Sequence, residues 1–142
     1  MKVSARNVFQ GTISAIHPGA VNSEVVVKTA GGDTLVAIVT VGGVQSLGLS
    51  EGKDVVALVK APWVMLATSD SGLKFSARNQ LSGKVSSLSK GAVNTEVGLT
   101  LAGGTEVFAV VTNEAVSELG LTSGKEAFAI IKASHVILAT PA

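Results

Sequence analysis

The sequence has 142 residues, of which 46% are hydrophobic, 15% are charged and 4% are aromatic, and its formal net charge is +1. This composition excludes a disordered chain, and the near-neutral charge argues against a protein that follows a nucleic-acid backbone. The absence of cysteine excludes disulfides, thiolate metal sites and thiol catalysis. The N-terminal residues lack the apolar segment of a signal peptide, and no apolar run reaches the length of a membrane span. We therefore expect a cytoplasmic protein without a membrane partner.

In chain order, the first half of the sequence predicts strands separated by turns, with one short helix before the last strand. Valine-rich segments favour strands, and clusters of glycine and asparagine mark the turns between them. The helix is predicted over residues 41–47, with Thr40 as its N-cap and Gly48 near its end. The strands are predicted over residues 3–16, with a bend near Gly11, and over residues 24–29, 34–39 and 54–68.

The second half of the chain repeats the first half at a spacing of 72 residues and without a gap. Roughly 30 of the 70 residue pairs are identical, which indicates a tandem duplication. Residues 69–72 have the turn chemistry of a linker. We therefore predict an all-β fold with two tandem OB-like β-barrel domains, residues 1–70 and 73–142, each with one short helix. The helix of the second copy, within residues 112–120, is the clearer one because acidic residues lie in its first turns.

The duplication keeps no catalytic constellation. His17 aligns with Ser89 and His135 aligns with Trp63, so neither histidine is repeated. The sequence contains no Gly-x-Ser-x-Gly elbow and no glycine-rich phosphate-binding motif. We therefore expect no enzyme, no catalytic residue, no metal-cation site and no catalytic cofactor.

Both copies instead retain a set of hydrogen-bond donors. Arginine offers a rigid fork, lysine a compact charge, and serine and threonine offer hydroxyl groups. Such donors suit a small oxyanion and suit a metal cation poorly. Each residue alone also has an ordinary role, as a helix cap or as a solvated residue at a strand end, but neighbouring positions changed while the set was kept. The retained residues are Ser4, Arg6, Asn7, Thr40 and Lys60 in the first copy and Ser76, Arg78, Asn79, Thr112 and Lys132 in the second copy.

A Gly-Ala-Val-Asn segment is also retained in both copies, after the first predicted strand. Glycine and asparagine form turns, so a retained tight turn explains the pattern. A turn with exposed N–H groups can also hold an anion, and the spacing alone leaves both interpretations open. The two segments are Gly19, Ala20, Val21 and Asn22, and Gly91, Ala92, Val93 and Asn94.

Taken together, these motifs resemble the molbindins, which are small cytoplasmic bacterial proteins built of molybdate- and tungstate-binding domains. The similarity covers essentially the whole chain. It lies in Ser-Ala-Arg-Asn from residue 4, the Gly-Ala-Val-Asn segment, Ala-Ile-Val-Thr from residue 37 and Val-Lys-Ala-Pro-Trp-Val from residue 59. The same domain occurs in molybdate-responsive transcription regulators and in some molybdate-importer ATPases. The resemblance implies an OB-like fold, molybdate or tungstate as ligand, and an oligomer with sites between domains, which we expect to be a homotrimer.

The resemblance further implies two classes of oxyanion site. The first class maps to Ser4, Arg6, Thr40 and Lys60 and to the equivalent residues of the second copy. The second class uses the Gly-Ala-Val-Asn segments, near the oligomer axis. Two departures affect the local geometry: Gly43 and Ala115 stand where some relatives have serine, and Ser134-His135 replaces Pro62-Trp63 in the second copy.

From the sequence we expect storage or buffering of molybdate or tungstate, in the service of molybdenum homeostasis. These residues leave no segment for a helix-turn-helix or an ATPase domain, so direct DNA regulation and ATP-driven transport are not expected. Two alternatives stay open. One is an OB-type single-strand nucleic-acid binder, which would need exposed aromatic side chains and a basic groove. The other is a partner-binding module without an oxyanion ligand.

Overall fold

The computed structural model describes residues 2–142, which form two compact units. We call residues 2–59 together with 132–142 the first unit, and residues 60–131 the second unit. The elements in chain order are β1 (Asn7–Pro18), β2 (Asn22–Thr29), β3 (Thr34–Thr40), α1 (Val41–Leu47), β4 (Asp54–Val59), a 3-10 turn (Ala61–Trp63), β5 (Met65–Ala67), β6 (Asn79–Lys90), β7 (Asn94–Leu101), β8 (Glu106–Thr112), α2 (Asn113–Leu119), β9 (Glu126–Ile131), a second 3-10 turn (Ala133–His135) and β10 (Ile137–Ala139).

Each unit holds one five-stranded antiparallel sheet, curled into a half-barrel, and one short helix. The strand order is β10-β4-β1-β2-β3 in the first unit and β5-β9-β6-β7-β8 in the second. The predicted all-β class with one short helix per repeat is therefore confirmed. Within residues 2–142, no helix is long and apolar enough to cross a membrane.

The core of each unit is filled by small and branched aliphatic side chains from the inner face of its sheet. Val25 and Val27 alternate with less buried neighbours along β2, as expected for a strand that covers a core with one face. The equivalent pair in β7 is Val97 and Leu99, and both are fully buried. The low aromatic content is thus compatible with a well-filled core.

Both helices begin and end as their sequences predict. Thr40 and Thr112 are the N-caps, and Gly48 and Gly120 end the helices in the left-handed conformation, each with φ of 61°. Lys53 donates from Nζ to the carbonyl of Leu47 at 2.7 Å, and Lys125 does the same to Leu119 at 2.8 Å. These lysines are retained in both repeats because they satisfy the last carbonyls of the helices.

The long first strand of each repeat differs from the prediction in two ways. It begins at Asn7 rather than at Val3, and its register shifts between Ile13 and Ala15, so the bend lies beyond Gly11. Gly11 has a separate role, because a Cβ atom there would lie 2.5 Å from the carbonyl oxygen of Lys28. The residue is glycine because β1 and β2 approach each other closely at this point.

The prediction of a single strand over residues 54–68 is wrong, because a 3-10 turn divides this segment into β4 and β5. In the turn, the N–H of Trp63 donates to the carbonyl of Lys60 at 3.0 Å. Proline is not the cause, since the equivalent turn of the second repeat has Ser134 in place of Pro62. Both turns share a buried alanine at their first position, so packing holds the chain in the turn.

The compact units do not follow the sequence repeat. β10 comes from the second repeat but pairs with β4 in the first unit, and β5 comes from the first repeat but pairs with β9 in the second unit. Each unit therefore contains the last short strand of the other repeat. The domain limits 1–70 and 73–142 describe the duplicated segment and stay a prediction.

Candidate functional site

The threonine that caps each helix is held in one orientation by the helix itself. Thr40 accepts a hydrogen bond at Oγ1 from the N–H of Gly43 at 3.0 Å, and Thr112 accepts one from the N–H of Ala115 at 3.1 Å. A hydroxyl that accepts this bond still has its own hydrogen to donate. Both threonines are exposed, so the hydroxyl hydrogen is available to a ligand from solvent.

Gly43 and Ala115 are the residues whose N–H groups bond to the capping threonines. No hydroxyl side chain is present at either position, and each backbone N–H there is already bonded to the capping threonine. The N–H groups of Gly43 and Ala115 are therefore already occupied. The threonine hydroxyl is a further donor at this end of each helix.

The Gly-Ala-Val-Asn loop lies directly beside the capping threonine in each unit. Asn22 is the register partner of Thr40, and Asn94 is the register partner of Thr112. The valine at the tip of each loop is strongly exposed, at 73% for Val21 and 70% for the second copy. The structure thus brings each loop beside one residue of the other class of site, the capping threonine.

The Ser-Ala-Arg-Asn segment enters the first strand of each sheet. Ser4 and Arg6 are exposed and precede β1, whereas Asn7 is its first residue, is 1% exposed and pairs in register with Val59. The second repeat has the same arrangement, with Ser76 and Arg78 exposed and Asn79 buried. The serine and the arginine are therefore accessible from solvent, whereas the asparagine is buried.

The retained lysines are divided between the units in an order that the repeat does not suggest. Lys132 belongs to the first unit, with Ser4, Arg6 and Thr40, whereas Lys60 belongs to the second unit. Lys132 directly precedes the 3-10 turn Ala133–His135, which packs against β3 in the first unit. The corresponding turn Ala61–Trp63 packs against β8 in the second unit. Each lysine nevertheless directly follows the register partner of its own repeat's asparagine, which is Val59 for Asn7 and Ile131 for Asn79.

The surroundings of the two lysines differ. The Nζ atom of Lys60 lies 5.2 Å from the centre of the Trp63 ring, which is a cation–π distance. His135 occupies the tryptophan position in the other repeat. Both lysines are exposed, so their ammonium groups can reach a ligand that arrives from solvent.

Asn113 is a residue that the sequence analysis missed. It accepts at Oδ1 from the hydroxyl of Thr95 at 2.6 Å and donates from Nδ2 to the carbonyl of Gly91 at 3.0 Å. Asn113 is not retained in both repeats, because Val41 stands at the equivalent position. A polar residue directly after a capping threonine was the available signal.

The donors in each unit suit an anion that only accepts hydrogen bonds. Arginine and lysine supply positive charge, and serine and threonine supply hydroxyl hydrogens. Within residues 2–142, no group of three or more histidine, aspartate or glutamate side chains is arranged to hold a metal ion. The retained residues are hydrogen-bond donors and cations, whose chemistry suits a small oxyanion.

Comparison with known proteins agrees with the duplication. The family model of the TOBE domain matches residues 3–66 and 76–138. A solved structure of the cytoplasmic molybdate-binding protein ModG, with molybdate bound, is 58% identical, covers 99% of this chain and 100% of its own, and superposes with a TM-score of 0.95. The predicted tandem organisation is therefore found, with molybdate, in a protein of closely similar sequence.

Two curated relatives extend the comparison. The molybdenum transport protein ModE of Herbaspirillum seropedicae is 44% identical over 139 residues, or 98% of this chain and 52% of the relative. The molybdenum-pterin-binding protein MopA of Rhodobacter capsulatus is 41% identical over 141 residues, or 99% of this chain and 53% of the relative. The chain thus spans about half the length of these relatives. It belongs to the TOBE domain family and carries two copies of that domain in tandem, which confirms its resemblance to the molbindins.

Proposed function

We propose that this protein binds molybdate or tungstate in the cytoplasm and stores or buffers molybdenum for the cell. The observation that carries the proposal is the similarity to molybdate-bound ModG over 99% of the chain at 58% identity. At that level of identity, a ligand site built from retained donors is expected to keep its chemistry. The proposal includes no enzymatic activity and no catalytic cofactor.

The first class of site is assigned by repeat. One set consists of Ser4, Arg6, Thr40 and Lys60, and the other of Ser76, Arg78, Thr112 and Lys132. The strand register supports this grouping, because Asn7 pairs with Val59 and Asn79 pairs with Ile131, so the arginine and the lysine of each repeat flank the same strand pair. Asn7 and Asn79 are the buried supports of these sites. Each set then lies within one sequence repeat, 1–70 or 73–142.

A site made only of donors also selects among oxyanions. Molybdate and tungstate carry no proton at neutral pH, so every oxygen can accept a hydrogen bond. Hydrogen phosphate would place its remaining proton against a donor, and an unpaired buried group of that kind costs about 1–3 kcal/mol. Roughly ten- to hundredfold rejection of phosphate follows. Sulfate is also free of protons, so its exclusion depends on the size of the site.

The second class of site consists of the loops Gly19, Ala20, Val21 and Asn22, and Gly91, Ala92, Val93 and Asn94. The exposed loop tips and their position beside Thr40 and Thr112 support this assignment. We include a homotrimer in the proposal, since each repeat of about 70 residues is short for an independent core and closed symmetry would bury more apolar surface. Light scattering that finds a stable monomer at micromolar concentration with molybdate present would rule out the trimer.

The test of the function is calorimetric titration of the full chain with molybdate, tungstate, sulfate and phosphate. Arg6→Ala should weaken molybdate binding at one set of sites by about 2–5 kcal/mol, because it removes a charged donor from a desolvated ligand. In the Arg6→Ala background, Lys60→Ala should change little more, whereas Lys132→Ala should remove the other set as well. His17→Ala is the control and should bind as the parent does.

Three outcomes would contradict the proposal in different ways. No heat with molybdate or tungstate would leave a partner-binding module as the better hypothesis. Equal affinity for sulfate and molybdate would show that the donors do not select by size. If Lys132→Ala rather than Lys60→Ala were silent in the Arg6→Ala background, the grouping by repeat would be wrong. A nucleic-acid binder would instead retain single-stranded DNA at moderate salt, and we expect no retention.

A further inference from the structure

The side chain of Asn113 ties the Gly91–Asn94 loop to the start of α2 in the second unit. Its amide donates to the carbonyl of Gly91 at 3.0 Å, at the first residue of the loop, and its oxygen accepts from Thr95 at 2.6 Å, directly after the loop. Its backbone N–H donates to the carbonyl of Val93 at 2.9 Å, at the tip. One residue therefore holds the beginning, the tip and the end of the loop.

The first unit has only part of this arrangement. Val41 stands at the position of Asn113, and its backbone N–H donates to the carbonyl of Val21 at 3.0 Å. A valine side chain has no donor or acceptor, so it cannot form the two side-chain bonds. Both units have a buried hydroxyl residue at the partner position, which is Ser23 (3% exposed) in the first unit and Thr95 (2% exposed) in the second. The two loops also differ in their backbone, since the N–H of Gly91 donates to the carbonyl of Asn94 at 2.7 Å, but residue 113 carries the side-chain difference that reaches both ends of the loop.

We infer that Asn113 is a positioning residue that makes the loop of the second unit the tighter oxyanion site of its class. The inference rests on the proposed function, in which both loops bind molybdate. A loop that is already held in its bound conformation loses less conformational entropy when the anion binds. One hydrogen bond of ordinary strength corresponds to a factor of about three to ten, and we expect a difference of that order in affinity between the loops.

The position of Asn113 in the helix does not account for these bonds. Thr112 already caps the helix through the N–H of Ala115, and α1 has the same length with valine at the equivalent position. The asparagine is therefore not needed for the helix to form. Its side chain acts on the loop.

The experiment uses the full chain, titrated with sodium molybdate and followed by the NMR amide signals of the two loop valines, Val21 and Val93. In the parent, the Val93 signal should reach its midpoint at about three- to tenfold lower molybdate than the Val21 signal. Asn113→Val should move the Val93 midpoint to that of Val21. Val41→Asn should move the Val21 midpoint down, because Ser23 and the carbonyl of Gly19 can then be bridged.

Two further measurements separate positioning from general stability. Asn113→Asp keeps the acceptor for Thr95 but loses the donor to Gly91, so it should recover only part of the parent affinity. Hydrogen exchange without ligand should be faster at the amide of residue 113 in Asn113→Val and unchanged at the core amides of β7. A gain of affinity in Val41→Asn cannot come from damage to the fold, so it keeps the test informative if Asn113→Val is unstable.

The outcomes distinguish this inference from the function on which it rests. Absence of any molybdate-dependent shift would overturn both. Shifts near Thr40 and Thr112 with unmoved loop signals would leave molybdate binding intact and overturn the inference. Equal midpoints for Val21 and Val93 in the parent, or a Val41→Asn variant that titrates as the parent does, would also overturn it.

Discussion

Val26 and Val36 face each other across β2 and β3 in the first unit, whereas Gly98 and Phe108 occupy the same pair of positions in the second unit. One repeat uses two medium side chains, and the other uses a glycine opposite a large ring. The backbone is paired in the same register in both cases. The comparison shows that a compensated change of volume leaves the sheet intact, so identity is not required where only packing matters.

The starts of the two helices differ in charge. The first repeat has Gly42 and Gly43 after its capping threonine, and the second has Glu114 and Ala115 at the same places. Both helices nevertheless have seven residues and the same caps. Since the fold tolerates either sequence, the consequence of Glu114 should appear in ligand binding instead of in the structure.

The largest expected effect comes from breaking the compensated pair in the second unit. A Cβ atom at Gly98 would overlap Oγ of Ser87 and would lie 3.2 Å from the ring of Phe108. Gly98→Val adds two more methyl groups at this buried position, so it should lower the free energy of unfolding by about 1–3 kcal/mol. Urea unfolding at a fixed protein concentration measures the change.

The matched control restores all three residues of the first repeat. Ser87, Gly98 and Phe108 correspond to Ala15, Val26 and Val36. The triple variant Ser87→Ala, Gly98→Val, Phe108→Val should therefore lie within about 1 kcal/mol of the parent, since it reproduces a combination that the fold already accepts. A triple variant as unstable as Gly98→Val alone would show that the two units are not interchangeable at this site.

The strand class, the hairpins and both helices were predictable because their signals are local. Thr40 and Gly48 mark the ends of α1 by chemistry that acts within a few residues. The exchange of β5 and β10 was not predictable, because Met65-Leu66-Ala67 and Ile137-Leu138-Ala139 have nearly the same pattern. A local pattern cannot decide which of two similar sheets a three-residue strand joins.

The retained donors were found from the sequence because both repeats keep them, and the same criterion hid Asn113. A residue that acts in one repeat only is invisible to a comparison of the two copies. Its hydrogen bonds to Thr95 and Gly91 join residues 18 and 22 positions away, so the contact exists only once β7 and α2 are packed together. Retention in the duplicated sequence identifies what the copies share, and the structure is needed for what separates them.

A smaller effect is expected from the charge at the start of α2. Glu114 lies two residues from the proposed ligand group Thr112, and a single negative charge about 8 Å from a divalent anion in water costs about 1 kcal/mol. Glu114→Gln should therefore tighten molybdate binding at the second-unit site by roughly fivefold at low salt. Gly42→Glu should weaken the first-unit site by a similar factor.

Salt provides the control for this charge effect. The difference between Glu114→Gln and the parent should shrink as the ionic strength rises from about 0.01 M to 1 M, because the Debye length falls below the separation of the charges. Calorimetry at both ionic strengths measures it. Equal affinity of parent and variant at low salt would show that Glu114 lies too far from the anion to matter, and that the two sites do not differ through this residue.

The smallest expected effect concerns the end of the first repeat, where Asp70 has Ala142 as its counterpart. A hydrogen bond of 2.5 Å from the hydroxyl of Thr68 lowers the pKa of Asp70 from its ordinary value of 3.8, and its own backbone N–H and the charge of Lys125 act in the same direction. A carboxyl whose pKa is lowered by folding stabilises the folded state above its unfolded pKa, and this contribution is lost as the pH falls through the folded pKa. Asp70→Asn should therefore lower the melting temperature slightly at pH 7, and the difference from the parent should diminish below pH 3.8.

Thr68→Val should reduce the effect of Asp70→Asn when the two changes are combined. A difference between parent and Asp70→Asn that stays constant from pH 7 to pH 2 would show that ionisation of this carboxyl does not contribute.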